Sequence, residues 1–275
     1  MKRLLCLLLL LQTAAPAATV LLKAGFEDET TENFGSDFPG AALTVTDYDF
    51  STGKFALKAA GGPVIDVERY IHYTDQDTKV GFHYKAHGLR TIRVLGGCVD
   101  VKENLYFNLT NVTQDAWCWA RVRVADFRNV IPSQGGPECP FGDTTGAGRT
   151  FRCLVFHLMD PDKKVEDTAV YLDNIVLYSG SDTTPPTRPG APQVHADAKG
   201  AFLAWPESKD DVGVACYRVF KGAAADFEPA GEPMATCVAP ECPIPDPQAW
   251  YRVVAVDYDG NASAAGPAAG GNNKK

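Results

Sequence analysis

A chain of 275 residues, 45% hydrophobic and 22% charged, has the composition of a globular protein long enough for two domains with a core each. Its formal net charge of −8 argues against nucleic acid as a partner, which calls for a basic footprint. The 25 glycines and 19 prolines fall between short β-branched and aromatic runs, so the expected class is all-β.

The chain opens MKRLLCLLLLLQTAAPAA, with charged Lys2 and Arg3, an apolar run from Leu4 to Leu11, and small residues at Ala15-Pro16-Ala17. This three-part pattern predicts a signal peptide over 1–18, cut after Ala17 or Ala18, and a secreted, periplasmic or cell-surface protein. The apolar run is far shorter than the ~20 residues of a spanning helix, so no membrane insertion is expected. Export permits disulfides. Past Cys6, seven cysteines remain. Cys98, Cys118, Cys139 and Cys153 can form two bridges, and three connectivities are open. Cys139 and Cys153 flank a Gly-rich loop, which favours that pair and leaves Cys98 with Cys118. Cys237 and Cys242 can close a small loop, leaving Cys216 odd, as a surface thiol or an intermolecular bridge.

Residues 19–180 alternate short strands and loops. VLLKAGFED opens the series and GKFALKA follows a turn at Gly53. KVGFHYKAHG and LRTIRVLG read as a hairpin across Gly88. NLYFNL, WCWARVRVADF, RTFRCLVFHLMD and VYLDNIVLYSG complete about nine strands, a number that suits a jelly-roll sandwich. Period-2 alternation places Val80, Phe82, Tyr84, Ile92, Val94, Ala120, Val122 and Val124 in the core. His83, Lys85, Arg93, Trp119, Arg121 and Arg123 then face outward, and would share one surface if their strands share a sheet. Trp117, where its strand begins, reads as a core anchor.

Residues 181–190 form a Pro-rich linker, stiff by composition. In 191–268, FLAW, CYRVF and WYRVVAVD alternate as strands, with Tyr217 and Val219 on one face and Tyr251, Val253 and Ala255 on another. Asp259-Gly260 is a tight-turn signal. The pattern indicates a small sandwich, followed by a polar tail over 269–275. Asp210, Asp211, Asp257 and Asp259 admit calcium, but acids at such places more often cap turns.

The DTTPP linker, the DDVGVACYRVF segment and the AVDYDGNAS end resemble a bacterial fibronectin type III domain from Asp182 to Ala268, with extra cysteines and a short Pro-rich middle as departures. GFED, GKFALKA, FHYKAHG and the closing VYLDNIVLY resemble the jelly-roll carbohydrate-binding modules of secreted glycan-degrading enzymes. That resemblance implies two antiparallel sheets, a polysaccharide or cell-surface glycan as partner, and association with glycan-active enzymes. It also implies a structural calcium shared by Glu27 and Asp173, with a backbone carbonyl near Gly53. Trp119 would give a sugar ring a flat plate, and Arg121, Arg123, Arg93 and His83 would favour anionic sugars.

No GxSxG, HExxH or phosphate loop accompanies the histidines, and Asp160 and Asp162 flank Pro161 in a turn. The expectation is a non-catalytic glycan-binding protein. A structural or adhesive envelope protein, or a small all-β lyase or hydrolase, is the alternative.

Overall fold

The computed structural model describes residues 17–31, 34–35, 42–60, 64–67, 73–74, 77–97, 104–128, 150–151, 153–159, 168–197 and 200–270. Most of the expected signal peptide, Cys98, Cys139, Asp160 and Asp162 lie outside them. Among the described residues the protein is all-β, with a single 3-10 turn at Val124–Asp126 and no helix long and apolar enough to cross a membrane.

The first sandwich contains β1 (Thr19–Ala24), β2 (Phe34–Gly35), β3 (Ala42–Thr46), β4 (Ala56–Ala60), β5 (Val64–Val67), β6 (Tyr73–Thr74), β7 (Thr78–His87), β8 (Thr91–Gly97), β9 (Asn104–Thr110), β10 (Cys118–Arg123), β11 (Thr150–Phe151), β12 (Val155–Met159) and β13 (Ala169–Ser179). One sheet runs β10-β7-β13-β4-β3, with β1 also on β13, and the other runs β2-β5-β12-β8-β9. The named pairs are all antiparallel, as a jelly roll requires. Strand β13 has three partners, β7 along one edge and β4 and β1 along the other, and Asn174, at φ 47°, interrupts its ladder with β7 between Asp173 and Val176. Its first half pairs β4 and its second half pairs β1. The sheets meet face to face, with Phe82 of β7 edge-on to Phe156 of β12 at 5.2 Å between centroids. The alternation holds: Val80, Phe82, Tyr84, Ile92, Val94, Ala120, Val122 and Val124 are all buried.

The hairpin across Gly88 does not form. Gly88 makes a turn at φ 70°, but β8 pairs with β9 and β12 in the second sheet while β7 pairs with β10 and β13 in the first. Buried Leu89 carries the chain over the edge of the core. A turn signal specifies a reversal of direction and not the sheet that the next strand joins.

The second sandwich contains β14 (Gln193–Asp197), β15 (Gly200–Ala204), β16 (Val214–Gly222), β17 (Ala235–Cys237), β18 (Glu241–Ile244), β19 (Trp250–Asp257) and β20 (Ala269–Gly270). Its sheets run β14-β15-β18 and β17-β16-β19-β20. Trp205 meets Tyr217 edge-on at 5.4 Å in a core that includes Val219, Tyr251, Val253 and Ala255. The Pro-rich middle supplies β18, with β17 just before it, and the expected tail begins later than position 269, because Ala269 and Gly270 pair with Tyr251 and Trp250.

The two sandwiches are docked. Val176 and Tyr178 of β13 share a buried cluster with Val212, Ala215 and Tyr258, against which Ala18 packs. The linker is tied down along its length: Asp182 N donates to Asp259, Thr187 N to the Lys209 carbonyl, and the Arg188 guanidinium to the Ala265 carbonyl.

Candidate functional site

The outward face of β10-β7-β13 is split in two, and one half lies under the second sandwich. His83 is 1% exposed, with Nε2 3.1 Å from the Val214 carbonyl and Nδ1 2.8 Å from Ser51 Oγ. Facing a carbonyl, Nε2 must carry the proton of the neutral ring. Burial pushes the His83 pKa down to about 4, against the opposing effect of the backbone hydrogen bonds. Arg121 donates to Asp259 at 2.7 Å across the joint, and Arg123 makes a forked pair with Asp126 at 2.8 Å. Trp119 remains 38% exposed but turns its ring edge to Tyr258, 6.2 Å away. Arg93 sits in the other sheet, stacked 3.9 Å over Tyr106 and bonded to Asn108, because β8 crosses over at Gly88. The five residues therefore do not assemble into one ligand surface: His83 and Arg121 belong to the joint, and Trp119 lines its rim.

The other half of the same face carries different residues, each of them partly exposed. Lys85 of β7, Tyr171 of β13 and Lys58 of β4 are register partners and so point the same way. Trp117 meets Tyr171 edge-on at 6.4 Å, and Lys58 Nζ lies 5.5 Å over the Tyr171 ring. Asp49 organises the group, accepting Trp117 Nε1 at 2.9 Å and Lys85 Nζ at 2.6 Å. Trp117 is thus half-buried and polar-anchored, a correction to its reading as a core residue. A tryptophan whose N–H needs a partner gave the signal; the carboxylate lies 68 residues away in sequence and carried none.

Glu27 and Asp173 approach the same loop from opposite ends, but their oxygens are already engaged by donors. Glu27 accepts Lys54 N and Phe55 N at 3.0 to 3.2 Å. Asp173, fully buried, accepts Ser51 N at 3.1 Å, Ser51 Oγ at 2.7 Å, Thr52 N at 3.1 Å and Asn174 N at 2.7 Å. A calcium ion here would have to share these oxygens with the loop N–H groups they already accept. Burial raises the Asp173 pKa to about 7, with Ser51 and the backbone donors opposing.

Ser51, His83 and Asp173 form a trio with the serine central, its single hydroxyl proton able to go to only one of Asp173 Oδ2 at 2.7 Å and His83 Nδ1 at 2.8 Å. A nucleophilic triad puts the histidine between serine and acid, and leaves the serine open to substrate. Here all three are at most 1% exposed.

The described cysteines form no bridges with one another. Cys118, Cys216, Cys237 and Cys242 carry free thiols, and Cys242 Sγ donates to the Pro243 carbonyl at 3.3 Å. Cys153 Sγ accepts Gly97 N at 3.1 Å. Cys216 is 2% exposed, packed with Val254 and Val256, and is not the expected surface thiol.

No family model matches the chain, and no curated protein matches it in sequence. Similar solved structures include carbohydrate-binding modules and glycoside hydrolases. The family 11 carbohydrate-binding module from Clostridium thermocellum, in complex with a β-1,3-1,4-mixed-linked tetrasaccharide, is 12% identical, covering 60% of this chain and 97% of that one at a TM-score of 0.39. The CBM22-1 xylan-binding domain of Paenibacillus barcinonensis Xyn10C is 16% identical over 62% of this chain and 100% of that one, at 0.37. A β-1,2-glucanase from Parabacteroides distasonis is 14% identical over 94% of this chain and 40% of that one, at 0.39. The chain spans well under half the length of that glucanase.

Proposed function

We propose that this protein binds a polysaccharide or cell-surface glycan, without turnover, on the partly exposed half of the outward face of the β10-β7-β13-β4-β3 sheet. The observation that carries this reading is the Trp117–Tyr171 pair, two half-buried rings held beside Asp49, Lys58 and Lys85 on the outward face of the sheet. Aromatic plates take the C–H faces of sugar rings, while a carboxylate and two ammonium groups meet hydroxyls, and the lysines suit acidic substituents. Trp119 extends the platform toward the joint. The β14-β15-β18 and β17-β16-β19-β20 sheets support reading the second sandwich as a fibronectin type III spacer, here a rigid one. Export, from the N-terminal pattern, would bring the protein to its ligand and to secreted glycan-active enzymes. Binding without turnover is favoured by the sealed, wrongly ordered Ser51–His83–Asp173 trio.

A glycan array followed by affinity electrophoresis on the retained polysaccharides tests the reading. Trp117→Ala and Tyr171→Ala should each weaken retention at least tenfold, a loss of about 1.4 kcal/mol. Unchanged retention in both variants would remove the site, and release of new reducing ends or unsaturated products would replace binding by catalysis.

A further inference from the structure

Three acidic residues converge where the linker enters the second sandwich. Asp182 comes from the linker, Asp210 from the loop before β16 and Asp257 from the end of β19, and one carboxylate oxygen of each lies within 4.8 Å of the others. Asp182 is 5% exposed and Asp257 fully buried. Part of this chemistry is ordinary turn capping: Asp182 Oδ1 accepts Thr184 N, Asp210 Oδ1 accepts Val212 N and Gly213 N, and Asp257 accepts Asn261 through both oxygens. The remainder is not. Asp182 Oδ2 and Asp210 Oδ2 are buried and have no hydrogen-bond partner among the described residues.

Among the described residues, nearby cations do not meet them. Lys79 and Arg121 pair with Asp259, and Lys23 donates to the backbone carbonyls of Asp210 and Asp211. A buried anionic oxygen without a partner is among the more costly arrangements a fold can hold.

We propose that Asp182, Asp210 and Asp257 form a calcium site that fastens the linker to the second sandwich beside the joint. The ligand oxygens fit within the roughly 4.8 Å breadth of a calcium shell, whose ligands stand at about 2.4 Å, and calcium accepts carboxylates supplemented by carbonyls and water. Magnesium, which holds its waters at about 2.1 Å in a strict octahedron, fits less well. The ion supplies the positive charge that lysine and arginine do not bring to these oxygens. The unpartnered oxygens are those of Asp182 and Asp210, with Asp257 sharing its oxygens with Asn261, and the site does not depend on glycan binding.

The test uses the full chain, stripped with chelator, titrated calorimetrically with calcium chloride or magnesium chloride, and melted with and without calcium. Wild type should take up one calcium and, at a hundred times the Kd, melt roughly 5–10 °C higher. Asp182→Asn and Asp210→Asn keep the capping Oδ1 and should weaken calcium binding at least tenfold. In chelator, Asp210→Asn should melt at or above wild type, since it removes a repelled charge. Glu27→Gln should bind calcium as wild type does. No uptake by wild type at millimolar calcium, uptake unchanged in both Asn variants, or uptake lost only in Glu27→Gln would each overturn the proposal.

Discussion

The ring of Tyr258 lies flat against Gly81, so close that a Cβ at Gly81 would sit 2.8 Å from its Cδ1 and Cγ atoms. Tyr258 is buried and its hydroxyl donates to the Asn174 carbonyl at 3.2 Å. The glycine is the gap in the outward face of β7 through which the second sandwich docks. Gly81→Ala should destabilise the joint by about 1–3 kcal/mol, as overpacking of a fitted contact does. Calorimetry should then split one unfolding transition into two. A single transition at the wild-type temperature would count against this account of docking.

Asp259 gathers four donors across the joint: Arg121 at 2.7 Å, Tyr178 Oη at 3.0 Å, Asp182 N at 2.8 Å and Lys79 Nζ at 3.5 Å. Lys79 and Tyr178 are themselves buried. Asp259→Ala strips Arg121 and Tyr178 of their acceptor, while Lys79 keeps Asp77 at 3.0 Å and the Gly180 carbonyl at 2.7 Å, and should cost about 2 kcal/mol in urea unfolding. A loss below about 1 kcal/mol would mean that the joint is held by its apolar contacts alone.

His83 and Asp173 are register partners with opposite acid responses. His83 has a folded pKa of about 4 against 6.5 unfolded, so its contribution falls as pH drops from 6.5 to 4, by about 3 kcal/mol in all. Asp173 has a folded pKa of about 7 against 3.8 unfolded, so stability is gained as pH drops from 7 to 3.8, by about 4 kcal/mol. Wild-type stability should therefore be nearly flat between pH 6.5 and 4. Asp173→Asn should uncover a fall over that window, and His83→Gln a rise. Equal slopes in the two variants, measured by urea unfolding at several pH values, would contradict the pairing.

Burial pushes the Cys216 thiol up to about 11. It should not react with a thiol reagent in the native protein and should react fully in denaturant, while Cys216→Ser leaves the native count of reactive thiols unchanged. A drop of one native thiol in that variant would place Cys216 at the surface.

The strands were legible because burial on one face of a sheet imposes a period of two, and the Val80-Phe82-Tyr84 run obeys it. The path at Gly88 was not, since Arg93 reaches the far sheet through a choice made by long-range pairing. The outward residues His83, Arg121 and Trp119 misled for a different reason. A polar, aromatic face has the same sequence pattern whether it meets a sugar, solvent or another domain, and here Tyr258 and Asp259 cover half of it. The acidic trio was only half visible: Asp210 and Asp257 stood out as turn acids, but Asp182 joins them from 28 and 75 residues away.

The linker hydrogen bonds from Thr187 to Lys209 and from Arg188 to Ala265, together with those from Arg121 and Tyr178 to Asp259 and from Tyr258 to Asn174, fix the second sandwich at one angle to the first. The orientational entropy of a hinge has then been surrendered at folding, once and for every encounter. A surface that touched both sandwiches would meet a single preformed shape, with no further ordering to subtract from its affinity.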